Sequence, residues 1–243
     1  MISIVIPLYN ERENILTYRE ELFPEIDRIA ATTGESFQYI LVDDGSQDDT
    51  YSLLQNLARE RTDVIALTNR KNKGMGAAIK HGLQHCEGDL IITMDSDLTF
   101  RPEDVRGLID AYRRSHPACV SGSPYLERGL MEEVTFFRYL LSKTVNSLYR
   151  VLLGANITCV SPIFRLYEKN ALDGMRIRSD NFEINAEILA KLILNGKSVV
   201  EIPVKLHTRR HGESKIDVKK EIKNHMRLLT NISKIRILKG NWG

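Results

Sequence analysis

A chain of 243 residues with 42% hydrophobic and 27% charged residues is long enough to bury a large core and too apolar to be disordered. A formal net charge of +2 gives the whole chain no field that selects a polyanionic partner. The three cysteines, Cys86, Cys119 and Cys159, lie far apart without zinc or redox spacing, and are expected to be reduced, buried thiols of a cytosolic protein.

In chain order, residues 2–6 form an apolar run that ends at Pro7 and predicts a first strand. Residues 11–31 have helical periodicity, which Pro24 is expected to break. Residues 39–42 predict a second strand, running into Asp43-Asp44-Gly45-Ser46, and Asp48 and Asp49 open the next helix. Residues 64–67 predict a third strand, 74–85 a helix opening on glycines, 90–94 a fourth strand, 102–114 a helix with proline in its first turn, and 118–120 a fifth strand. The second half is less regular: helices at 134–153, 182–194 (amphipathic) and 216–238 (basic), and a strand at 199–206 carrying Pro203. No run of about 18 uncharged apolar residues predicts a transmembrane helix, and residues 1–8 lack the length and basic start of a signal peptide.

Strands alternating with helices imply an α/β fold with a mostly parallel sheet and helices on both faces. Ligands of such sheets bind beyond the carboxyl ends of the strands. Tyr9-Asn10-Glu11, Asp43-Asp44 and Asp95-Asp97 fall at three such ends and predict one site.

Each cluster has two readings. Asp95 and Asp97, two apart on an extended segment, point the same way and suit Mg2+ or Mn2+, or they form a polar turn in which Asp97 caps the next helix. Asp43 and Asp44 accept hydrogen bonds from a base or ribose, or close a turn; both can hold at once. Gly74-Met75-Gly76 is a phosphate cradle with Lys73 beside it, or a place of close helix packing, and Ile79 standing where a third glycine would be favours packing. The stretch from Arg209 to Lys215 is a phosphate loop or a solvated basic loop.

Taken in order, Pro7-x-Tyr9-Asn10-Glu11, Val42-Asp43-Asp44-Gly45-Ser46, Asn72-x-Gly74-x-Gly76, Met94-Asp95-Ser96-Asp97-Leu98 and Arg209-x-x-Gly212-x-Ser214-Lys215 resemble the family 2 glycosyltransferases, and more narrowly the dolichol- and polyprenol-phosphate mannose synthases. The resemblance implies a GT-A, Rossmann-like fold with added interfacial and C-terminal helices. It implies a catalytic domain over residues 1–215 and a basic helical extension of the same domain over 216–243. It also implies roles. Pro7, Tyr9, Glu11, Asp43, Asp44, Lys73, Gly74, Asp95 and Asp97 would bind the nucleotide-sugar, with Asp95 and Asp97 also holding Mg2+ or Mn2+. Asp97 and Arg209 would be catalytic, and Arg128, Arg209, Ser214 and Lys215 would meet the acceptor phosphate. The implied activity is inverting transfer of a sugar, mannose from GDP-mannose first, to a polyprenyl or dolichyl phosphate. The alternatives are a family 2 transferase acting on a hydroxyl, or a non-catalytic nucleotide-sugar binder. The chain departs from the mannose synthases at Thr99, where glutamine is usual, and at Pro124, where Gly-Ser-Arg-Tyr has arginine.

A lipid acceptor requires a membrane surface. Phe136, Phe137, Leu140, Leu141, Leu148, Tyr149, Leu152 and Leu153 form an apolar helix face, punctuated by Arg138, Lys143 and Arg150, that suits either an interfacial helix or a core helix. Residues 205–239 hold eleven Lys/Arg against three acidic residues, which suits an anionic membrane surface, and no nucleic-acid motif accompanies them. The expected location is peripheral, on the cytoplasmic face of a membrane.

Overall fold

The structure, a computed structural model, describes residues 1–131, 136–212 and 217–237, with the backbone alone described at 136–138 and 237. Seven strands form one sheet in the order β3-β2-β1-β4-β6-β5-β7. They are β1 (Ile2–Leu8), β2 (Phe37–Asp43), β3 (Val64–Thr68), β4 (Leu90–Thr93), β5 (Cys119–Ser123), β6 (Arg165–Glu168) and β7 (Val199–Pro203). β6 alone runs antiparallel, to both β4 and β5, and every other pairing is parallel. The carboxyl ends of β1, β2, β4 and β5 therefore share one edge.

The sheet is covered on both faces because its strands are apolar on both. In β1 and β2, Ile4, Ile6, Tyr39 and Leu41 enter one core, while the intervening Val5, Ile40 and Val42 enter another. On the first face lie α1 (Arg12–Thr17), α2 (Phe23–Thr33), α3 (Thr50–Glu60) and α5 (Val105–Ser115), and on the second α4 (Met75–Leu83). A third cluster joins α4, α6 (Phe136–Leu153), the short α7 (Lys169–Leu172), α8 (Ile184–Leu194) and α9 (Val218–Ile237) to Cys119 and Tyr167 of the sheet. All three cysteines are free and buried.

Four local expectations change. Pro24 does not break the first helix: a π-helical turn at Tyr18–Leu22, closed by Phe23 N–H on the Tyr18 carbonyl, widens the chain just ahead of the proline, which then stands in the first turn of α2. β6 was not expected as a strand, because two of its four residues are charged. Arg165 is nonetheless wholly buried, donating to Ser121 Oγ at 3.0 Å, to the Val160 carbonyl at 2.7 Å and to the Asn185 carbonyl. α8 has no solvated polar face: Asn185, Glu187 and Lys191 are buried, and Glu187 pairs with Lys191 at 3.4 Å. On α6 the proposed apolar face divides, since Tyr149 and Leu153 are core while Leu140 and Leu148 are exposed. Phe136, Phe137 and Arg138 lie among the residues whose side chains are not described. Among the described residues no helix is long and apolar enough to cross a membrane.

Candidate active site

The loops leaving β1 and β2 are tied together. Asn10, at φ 51°, donates its N–H to Ser46 Oγ and accepts from Gln47 N–H, both at 2.8 Å. A non-glycine residue at positive φ costs about 1 kcal/mol and is held here by that reciprocal pair. Glu11 follows, buried, with its N–H on Thr50 Oγ1 at 2.9 Å and its carboxylate receiving Asn14 Nδ2 at 2.5 Å.

Asp43 and Asp44 fill the turn role in full. Asp43 accepts from Gly45 N–H, Ser46 N–H and the Thr68 hydroxyl. Asp44 accepts from Asn69 Nδ2 at 2.8 Å, Gly74 N–H at 2.7 Å and Lys73 N–H at 3.1 Å, and so holds the loop ahead of α4; burial raises its carboxyl against those bonds. A carboxylate has about four acceptor positions, so Asp43 keeps room for a ligand. Gly74 and Gly76 are explained by close packing: a Cβ on Gly74 would stand 2.3 Å from the Asp180 carbonyl oxygen, and one on Gly76 2.7 Å from the Asp180 carbonyl carbon.

At the end of β4, Tyr18 donates its hydroxyl to the Ser96 carbonyl at 2.9 Å, and Leu98 takes φ 52° so that its side chain stays in the core. Thr99 braces both metal candidates, its N–H on Asp97 Oδ1 at 3.2 Å and its hydroxyl on Asp95 Oδ2 at 3.4 Å. Burial, and next the Asp97 carboxylate, push the Asp95 carboxyl well above the usual range. Arg209 reaches in from beyond β7 and bridges the edge, 2.6 Å from Glu11 Oε1 and 2.9 Å from Asp97 Oδ2. The geometry fits a divalent cation of the Mg2+ class, which takes one or two carboxylates and completes its shell with water and substrate phosphate. A buried Asp95 beside the Asp97 carboxylate is a site where a cation relieves repulsion.

Glu11, Asp43, Asp44, Asp95, Asp97 and Arg209 thus gather at one edge, with Pro7 buried and Tyr9 half-buried beside them. Lys73 gives the edge its backbone, while its side chain lines a separate groove with Arg70 and Lys80. Arg128 leaves the same edge after β5 and is exposed in a cavity of about 460 Å3 with Pro124, Tyr125 and Tyr139, the two tyrosines stacked at 5.9 Å. Ser214 and Lys215 lie outside the described residues. Tyr18, Thr50 and Asn69 escaped the sequence, where nothing but a helix face, a helix start and a strand end marks them.

The family model described as glycosyl transferase family 2 matches residues 3–175. A dolichol-phosphate mannosyltransferase of Pyrococcus furiosus is 34% identical over 219 residues, covering 88% of this chain and 59% of the relative. An undecaprenyl-phosphate 4-deoxy-4-formamido-L-arabinose transferase of Edwardsiella ictaluri is 31% identical over 225 residues, covering 91% and 64%. The chain therefore spans about 60% of the length of the curated relatives it matches. Glucosyl-3-phosphoglycerate synthase of Mycobacterium tuberculosis, solved with Mn2+, uridine diphosphate and glucosyl-3-phosphoglycerate, superposes with a TM-score of 0.66 at 17% identity, over 96% of this chain and 78% of that one. The sheet and its edge are those of the GT-A fold, and the chain belongs to glycosyl transferase family 2.

Proposed function

We propose that this chain transfers a sugar from a nucleotide-sugar to the phosphate of a polyprenyl phosphate, with inversion, using Mg2+ or Mn2+ held by Asp95 and Asp97. The observation that carries the acceptor class is that Asp180, Glu183 and Glu187, the carboxylates that would serve a hydroxyl acceptor as general base, are already engaged. Asp180 pairs with Lys80 at 2.5 Å. Glu183 receives Asn224 Nδ2 at 3.1 Å. Glu187 accepts the N–H groups of Arg178 and Ser179 and pairs with Lys191. A hydroxyl acceptor needs a base within reach, whereas a phosphate monoester, with a second pKa of about 6, arrives ionised. The curated relatives named for polyprenyl-phosphate substrates support the same class.

In this reaction an acceptor phosphate oxygen bonds to the anomeric carbon as the bond from that carbon to the donor diphosphate breaks. When bound, the cation neutralises the leaving diphosphate. Pro7, Tyr9, Glu11, Asp43, Asp44, Gly74 and the backbone of Lys73 hold the nucleotide. Arg209 leaves its carboxylates to meet phosphate, and Arg128, Ser214 and Lys215 serve the acceptor side. Positioning and charge, not proton transfer, supply the rate. GDP-mannose is the first donor to test.

The acceptor is reached from a membrane. α9 exposes Val218, Ile222 and Met226 at helical spacing, and Lys219, Lys223 and Arg227 follow each by one position. Apolar and basic stripes side by side suit an anionic lipid surface, here the cytoplasmic leaflet. Leu228, Leu229 and Ile232 of the same helix are buried with α6 and α8, which supports 216–243 as an extension of the 1–215 catalytic domain.

The test is product formation from a panel of radiolabelled nucleotide-sugars with Mg2+ or Mn2+ and a polyprenyl phosphate in detergent. Label entering the lipid phase and lost with EDTA is the expected result. Slow metal-dependent hydrolysis of one donor without lipid product would discard the lipid acceptor.

A further inference from the structure

At the open edge of the sheet, between α4 and the loop after β3, lies a groove of about 630 Å3. None of Glu11, Asp43, Asp95 or Asp97 lines it. Its walls carry Arg70, Lys71, Lys73 and Lys80 against a single carboxylate, Asp180, which is taken by Lys80. Four exposed arginines elsewhere on this chain find acids: Arg19 with Glu60, Arg28 with Glu25, Arg106 with Asp110, Arg113 with Glu35. Arg70, Lys71 and Lys73 are exposed and their side chains meet no carboxylate among the described residues. Burial, then the neighbouring His85 and Lys73, lower the pKa of His81, half-buried in the same wall. Like charges converging on one concavity are unfavourable unless an anion joins them.

The floor connects with the donor edge. His81 Nδ1 lies 3.0 Å from Asn69 Oδ1, Asn69 Nδ2 donates to Asp44, and Asp44 holds the N–H groups of Lys73 and Gly74.

We propose that this groove is a second anion site, binding a phosphate-bearing ligand of diphosphate size apart from the catalytic edge. Three unpaired cations, with hydrogen-bonding groups from Thr68, His81 and Gln84 along the walls, exceed what a lone carboxylate would use and match a charge spread over two phosphoryl groups. The ligand is either a free diphosphate or the headgroup of an anionic lipid, and the experiment separates them. The site does not depend on the transferase activity or on the bound metal.

Pyrophosphate is titrated calorimetrically into the chain at low salt with EDTA present, so that the catalytic carboxylates, lacking a cation, repel it. One saturable site is expected, weakened about tenfold or more in the R70Q/K71Q double variant and retained in R209Q. Both altered cations are exposed, and thermal melting checks that the double variant folds. Loss of binding in R209Q with retention in R70Q/K71Q would put the anion at the catalytic edge and overturn the proposal. Sedimentation with phosphatidylglycerol vesicles forms the second arm. Vesicle binding that is unchanged in R70Q/K71Q, beside lost pyrophosphate binding, identifies a free ligand. Vesicle binding that falls in the double variant identifies a headgroup. A double variant indistinguishable from the parent in both arms sinks the site.

Discussion

Arg209 offers the sharpest test of the catalytic edge, because one substitution should move two measurements in opposite directions. Its guanidinium sits 2.6 Å from Glu11 and 2.9 Å from Asp97, with the three side chains 21%, 8% and 15% exposed. It therefore supplies to Asp97 part of the positive charge that a metal would supply. A divalent cation entering beside Asp97 meets a like charge about 4–5 Å away, worth about 7–8 kcal/mol at an effective dielectric of about 20. Partial exposure and movement of the arginine reduce this to about 1–2 kcal/mol. R209A should then bind free Mn2+ about 5- to 30-fold more tightly than the parent, measured by calorimetry without nucleotide. The same variant should lose turnover by about 100-fold or more, because the phosphate contact proposed for Arg209 is gone. R209K keeps the charge but not the two-armed bridge and should fall between. Mn2+ binding equal to or weaker than the parent's in R209A would refute the competition, whatever happens to turnover.

Tyr18→Phe removes the hydroxyl that holds the Ser96 carbonyl; turnover should fall about tenfold while the melting temperature moves little, since one neutral hydrogen bond is worth about 1 kcal/mol. Equal loss of stability and turnover would make Tyr18 a packing residue only. Gly76→Ala would drive a methyl into the backbone of Ser179 and Asp180, 2.8 and 2.7 Å away, and should cost about 1–3 kcal/mol in urea unfolding; a neutral result would show that the loop yields. Glu221 of α9 is pushed up to about 7, first by burial and then by Glu183, with Lys220 and Asn224 opposing. Its folded pKa lies above its unfolded value, so the stability tied to its protonated form is full at low pH and lost as pH rises through about 7. Glu221→Gln should therefore melt higher than the parent at pH 8 and flatten the pH dependence between 5 and 8, a gain of about 1 kcal/mol after screening. Identical melting profiles would remove Glu221 from the account.

The strands whose residues bury on both faces were legible as apolar runs, and their carboxyl ends marked the edge before any coordinate was known. What escaped the sequence is charged and buried. Arg165 interrupts the apolar signal of β6, yet it is the residue that fastens β5, the 160 loop and α8 together. Glu187 and Lys191 gave α8 the pattern of a surface helix, yet they close on each other and on the backbone of Arg176, Arg178 and Ser179. A sequence reports a side chain's cost of burial but not the partner that offsets it, and those partners stand on other elements. The same reason hid the bridge at the site. Glu11 and Arg209 are 198 residues apart, and taken singly the first implies a nucleotide ligand and the second a phosphate ligand. Joined, they acquire a state that neither motif implies: an edge neutralised from within, where a metal would compete with Arg209 for Asp97. Arg209 stands nine positions before Val218, where α9 begins, so the release proposed for that arginine and the lipid contact proposed for α9 would be joined by a short stretch of sequence.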